Sequence, residues 1–146
     1  MVCRVIHKSA KVAYTCEQMF DLVQDVDSYC HFLPYCTDAK ILSTKGNIVE
    51  GQMVFTYMGL SYSLVTKNSM YPHSRIGLLL LEGDLQSLKG QWLFCELNGG
   101  GCKVSLDLEI GMYDGLWYSL YNRLLDRVAN MMVEKFIERA YQIYGI

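Results

Sequence analysis

The residues best placed to do chemistry in this chain are large apolar ones at alternating positions. Met53, Phe55 and Tyr57 form one such run, Tyr62 and Leu64 a second, Trp92 and Phe94 a third. Leu106 and Leu108 sit inside a fourth, which runs from Cys102 through Val104 to Ile110. Side chains two apart share a face of a strand, so each run offers a bulky, dry surface. Such a surface is either plain core or the wall of a site for an oily ligand. Acid–base chemistry is less well served, because it needs two ionisable groups converging in a cleft. Asp107 and Glu109 alternate with the apolar set and are expected to face water. Glu96 falls at a strand end, and Asp25, Tyr29 and His31 fall where a helix gives way to a turn. No G-x-S-x-G or H-E-x-x-H run occurs. The expectation is a binding protein and not an enzyme.

Metal and phosphate chemistry fare no better. Six cysteines are present, Cys3, Cys16, Cys30, Cys36, Cys95 and Cys102, with no CxxC pair among them. Zinc sites use tighter ligand spacing, so free thiols packed as small hydrophobes are expected. Gly99 to Gly101 could suggest a phosphate loop, but no helix opening on Lys-Ser or Lys-Thr follows. Hairpin chemistry explains those glycines better.

The elements that must position these residues come in a telling order. Val2 to Tyr14 reads as a weakly amphipathic strand suited to a sheet edge. Thr15, three residues before Gln18, opens a helix with capping-box spacing. A second short helix is expected over Asp27 to Phe32, stopped by Pro34. Strands follow at Ala39 to Ser43, Ile48 to Thr56, Leu60 to Met70, Arg75 to Leu81, Ser87 to Leu97 and Cys102 to Gly111. From Asp114, a candidate cap, one long helix runs to Gly145. Trp117, Leu120, Tyr121, Leu124, Val128, Met131, Met132, Phe136, Ala140 and Ile143 recur along it at steps of three and four. A helix about 45 Å long needs a broad apolar surface, and a curved antiparallel sheet is the only candidate.

Composition narrows the function classes. The chain has 146 residues, 51% hydrophobic and 19% charged, with a formal net charge of −2. That is a folded globule and argues against a domain held on DNA by phosphate contacts. A local basic patch stays open, since Arg4, His7, Lys8 and Lys11 cluster near the start. The longest apolar run, Ile76 to Leu81, is too short to span a bilayer. The alternating, charged first ten residues read as strand and not as a signal peptide. A cytoplasmic protein is the expectation.

Against this background, the segment from Asp25 to Cys36 resembles the coenzyme Q-binding START-domain family of the polyketide cyclase/START-like superfamily, which includes the bacterial ribosome-association toxin. Asp25, Tyr29, Phe32, Leu33, Pro34 and Cys36 carry the likeness. Leu88-Lys89-Gly90-Gln91-Trp92-Leu93-Phe94 is similar to that family's tryptophan strand, and Ala13 to Phe20 is similar to its start. Cys30 and Asp84-Leu85 depart from the family's usual Pro and Pro-Phe. The resemblance implies a helix-grip α+β domain over residues 1–146, with about seven strands wrapped on the terminal helix and an apolar groove between. It also implies ubiquinone or another prenyl lipid as bound ligand, with no covalent cofactor and no metal. Strand and helix parity nominate Met53, Phe55, Tyr57, Tyr62, Leu64, Trp92, Phe94, Leu106 and Leu108 for that groove, with Trp117, Tyr121, Leu124 and Val128 from the helix. Phe32 and Pro34 join them from the matching segment. Quinone handling in respiration, with peripheral contact at the inner membrane, is the function implied first. The alternative is a toxin that binds the large ribosomal subunit and blocks subunit joining. Aromatic-cyclase chemistry comes third.

Overall fold

The computed structural model describes residues 2–145. Strand β1 (Val2–Val12) leads into helix α1 (Cys16–Gln24) and a 3-10 helix (Val26–His31). Strands β2 (Cys36–Lys45), β3 (Ile48–Tyr57), β4 (Leu60–Tyr71), β5 (Arg75–Gly83), β6 (Ser87–Glu96) and β7 (Cys102–Met112) follow, and α2 (Leu116–Tyr144) closes the chain. All strands belong to one antiparallel sheet in the order β1-β7-β6-β5-β4-β3-β2. Six consecutive strands form a meander because short turns join them. The α1 segment then carries the chain across, so that β1 and β2 become the two edges. β1 runs beside β7 from Val2↔Met112 to Val12↔Cys102, which is the edge position its weak amphipathicity predicts.

Local chemistry fixes the elements. Thr15 accepts from Gln18 N at 3.1 Å, and the Gln18 side chain accepts from Thr15 N at 2.9 Å, completing the capping box. β2 starts three residues before the predicted Ala39, because Tyr35, at φ 68°, turns the chain after Pro34 and seats Cys36 opposite Phe55. Bulges between Cys36 and Asp38 and between Ile41 and Ser43 keep that edge irregular, and so hid its full length from the alternation pattern. The Asp84 carboxylate accepts from Ser63 N at 2.8 Å and so pins the β5–β6 loop to β4.

β6 and β7 meet at one point of unusually close approach. A Cβ at Gly90 would lie 2.0 Å from the Asp107 carbonyl oxygen on β7. Only glycine lets β6 approach β7 that closely. Phe136, fully buried in the middle of α2, meets the rings of Phe32, Trp92 and Tyr29 at centroid distances of 5.0, 5.2 and 5.3 Å. This aromatic cluster is the grip. α1 docks at one end, where Phe20 packs edge-on against Phe94.

The helix differs from its sequence reading at both ends. Gly115 at φ 71° is the N-cap, in place of the Asp114 expected, and a glycine brings no side chain to cap the turn. Trp117, Leu120 and Ile143 are exposed, while burial runs from Leu124 to Ala140. A helix of 29 residues is about 44 Å long and overhangs the sheet. Periodicity shows which face is apolar and not how far along the helix its cover extends.

Candidate functional site

Between the concave face of the sheet and α2 lies a hollow of about 80 Å³. β3 gives it Gly51, Met53 and Phe55; β4 gives Tyr62, Leu64, Thr66 and Asn68. These are strict alternations, one wall per strand. β5 adds Leu78, β6 adds Leu88 and Trp92, and β7 adds Leu106, Leu108 and Ile110. α2 covers them with Leu125, Val128, Ala129 and Met132, a three-four spacing that keeps all four on one face. Val26 and Tyr29 of the 3-10 helix complete the enclosure. Thr66 and Asn68 are the only lining residues here that are both buried and neither hydrophobic nor glycine.

Of the residues nominated from sequence, Met53, Phe55, Tyr62, Leu64, Trp92, Leu106, Leu108 and Val128 meet around this hollow. The others lie elsewhere. Phe94 has the right parity but sits beyond the end, against Phe20. Tyr57 is turned toward Tyr35, 5.2 Å between centroids, with the Arg127 guanidinium over its ring. Phe32 packs on Phe136 under Arg139, and Pro34 belongs to the turn before β2. Leu124 is buried in the helix packing outside the lining. Trp117 is half-exposed and stacks on Tyr121, whose hydroxyl donates to the Ser61 carbonyl at 3.2 Å. Tyr121 also meets Tyr62 edge-on, so the first turns of α2 abut the Tyr62 end of the hollow.

Sequence reasoning missed Val26, Tyr29, Gly51, Thr66, Asn68, Leu78, Leu88, Ile110, Leu125 and Ala129. For Thr66 and Asn68 a signal existed, since they extend the parity of Tyr62 and Leu64. Gly51 likewise extends that of Met53 and Phe55. Val26 and Tyr29 reach the site through tertiary packing, which has no local pattern.

The electrostatics are those of a neutral site. Burial pushes the Tyr62 phenol above its usual range, and does the same at Tyr29 with help from Asp25 and Cys36. Both stay protonated at physiological pH. Tyr29 Oη is committed to the Val23 carbonyl. The acidic residues stand away from the hollow, as expected: Asp107 pairs with His7 and Glu109 with Lys89 on the outer surface. The cysteines are free thiols, yet two pairs touch, Cys16 with Cys102 at 2.9 Å and Cys30 with Cys36 at 3.4 Å. Among the described residues no group of three or more His, Cys, Asp or Glu side chains could hold a metal ion.

A curved sheet closed over a long helix, with an apolar hollow at the seam, defines the helix-grip class of fold. The chain belongs to the family described as polyketide cyclase / dehydrase and lipid transport, which it matches over residues 12–137. It is 33% identical over 140 residues to the ribosome association toxin RatA of Pseudomonas aeruginosa, covering 96% of this chain and 97% of that one. It is 29% identical to the mitochondrial coenzyme Q-binding protein COQ10 homolog B of Xenopus laevis, covering 97% of this chain and 60% of the relative. The Zhui aromatase/cyclase from Streptomyces sp. R1128 superposes with a TM-score of 0.84 at 13% identity, covering 97% and 95% of the two chains. That last likeness is one of fold.

Proposed function

We propose that this chain binds a prenyl quinone or a similar oily ligand between sheet and α2, and that it carries the ligand without transforming it. The observation that supports this best is the hollow itself, apolar on every wall except at Thr66 and Asn68 and closed by a helix whose first turns are half-exposed. Its volume of about 80 Å³ is roughly half the 150 Å³ that admits benzene in an engineered core. Ligand entry therefore calls for α2 to lift at its N-terminal end, where Tyr121 bonds the Ser61 carbonyl and Arg4 of β1 donates to Asn122 and Asp126. Flexible Met53 and Met132 in the wall re-pack around a guest at low cost. Exchange with a bilayer needs an apolar contact face, and exposed Met58, Leu116, Trp117 and Leu120 supply one. The family's lipid-transport description and the quinone-binding name of the Xenopus relative lend support. Organic extraction of the purified protein, followed by mass spectrometry, is expected to recover a prenyl lipid in near-stoichiometric amount. Recovery of none, with no uptake of added quinone, contradicts the reading.

A second reading is favoured by the 33% identity to a ribosome association toxin over nearly both whole chains. In that reading the outer surface engages the large ribosomal subunit. Lys11 and Lys103, opposite one another on β1 and β7 and both exposed, offer the cationic contact. Overexpression would then raise free subunits over joined ribosomes in a sucrose gradient. An unchanged profile discards it.

A further inference from the structure

The apolar wall is interrupted at one place. Thr66 and Asn68 are 4% and 6% exposed, and both line the hollow. Thr66 Oγ1 donates to Asn68 Oδ1 at 2.8 Å. That bond fixes the amide plane and turns Nδ2 away from Thr66. No partner for Nδ2 is present among the described residues. No side-chain N or O atom that is itself sealed from solvent lacks a partner among the described residues, so Nδ2 is not shut inside the wall but opens on the hollow, where its two N–H donors are free to meet a guest. The neighbouring strand places no side chain beside them. Gly51 pairs with Thr66 across the β3–β4 ladder, and a Cβ there would come within 3.8 Å of Asn68 Nδ2 and 3.5 Å of a Val26 methyl.

We infer that Asn68, oriented by Thr66, is the anchor for the ligand's head, and that it donates to a neutral acceptor oxygen such as a quinone or ketone carbonyl. The inference deepens the proposed function and rests on its premise that an oily guest occupies the hollow. The acceptor must be uncharged because the lining holds no lysine, arginine or histidine to balance an anion. A carboxylate or phosphate head would be desolvated there without compensation. An acceptor is required because the free atom on the amide is a donor. Tyr62 stands six residues from Asn68 along the same strand, about 20 Å of backbone, at the end that Tyr121 abuts. The Thr66–Asn68 end of the hollow is the polar one, and the tail lies toward α2's first turns.

The test uses two probes, decylubiquinone and the hydrocarbon diphenylhexatriene. The Asn68→Leu protein is expected to lose about tenfold in quinone affinity while its hydrocarbon affinity stays within about twofold of wild type. Its melting temperature without ligand is expected to hold or rise, since a polar side chain on an otherwise apolar wall has been replaced by an apolar one. In the wild type, which needs no variant to fold, quinone should shift the Asn68 side-chain NH2 resonances downfield and diphenylhexatriene should not. Equal loss for both probes, unchanged quinone affinity, or an unshifted Asn68 amide overturns the anchor. Wild-type protein that takes the hydrocarbon and refuses the quinone overturns the anchor alone. Protein that takes neither probe overturns the proposed function with it.

Discussion

Cys36 and Cys102 behave as apolar groups that happen to contain sulfur. Burial, and then the neighbouring thiols Cys30 and Cys16, push both up to about 12. A thiol held protonated in the fold adds stability that is complete below its ordinary value near 9. That stability drains away as pH rises toward the folded value, because the unfolded chain ionises first. Denaturant midpoints are therefore expected to fall steadily between pH 9 and 12, and less steeply in a Cys36→Ala, Cys102→Ala double variant. At pH 8, dithionitrobenzoate is expected to label exposed Cys3 and Cys95 quickly and buried Cys16, Cys36 and Cys102 only after unfolding. Fast modification of the buried three in native protein would show that these thiols are not sealed. The chain's spacing pointed to free, hydrophobe-like cysteines. The two sulfur contacts that tune them cross 86 and 6 residues, and the first of these is set by tertiary packing alone.

β6 and α2 show what pattern can and cannot specify about an element. The dry face of β7 was legible residue by residue, because an antiparallel sheet packed on one side imposes a period of two. The close approach of β6 to β7 was not, because it depends on the absence of a side chain at Gly90. Gly90→Ala places a methyl against the Asp107 carbonyl, and the ladder must part to admit it. The expected loss is roughly 1–3 kcal/mol, the usual cost of overpacking, read from urea denaturation. A fully stable variant would mean the two strands part there at no cost. On α2 the apolar stripe was likewise legible, yet it nominated Trp117 and Leu120, which lie past the sheet, and passed over Leu125 and Ala129. Those two flank the stripe and reach the hollow only because of the helix's rotation against β3 and β4.

At the scale of the molecule, the fold was readable earlier than the position of the hollow. The order of elements and the Asp25 to Cys36 segment pointed to a helix-grip domain, and the family match over residues 12–137 agrees. The ligand-facing set was read from strand parity, which finds dry faces but does not separate core from cavity. Phe94 and Leu124 fall in core for that reason. Polar Thr66 and Asn68 were passed over because a search for apolar lining skips them, although a polar pair on a dry parity is itself a signal.

Whether the hollow takes a guest is tested most directly in a Trp117→Phe protein, where Trp92, in the wall, is the sole remaining tryptophan. Titration with decylubiquinone is expected to quench its fluorescence saturably at one equivalent. The quench is expected to vanish when Ala129→Leu fills the hollow from the helix side. Absence of saturable quenching, or equal quenching in the filled variant, would contradict the account.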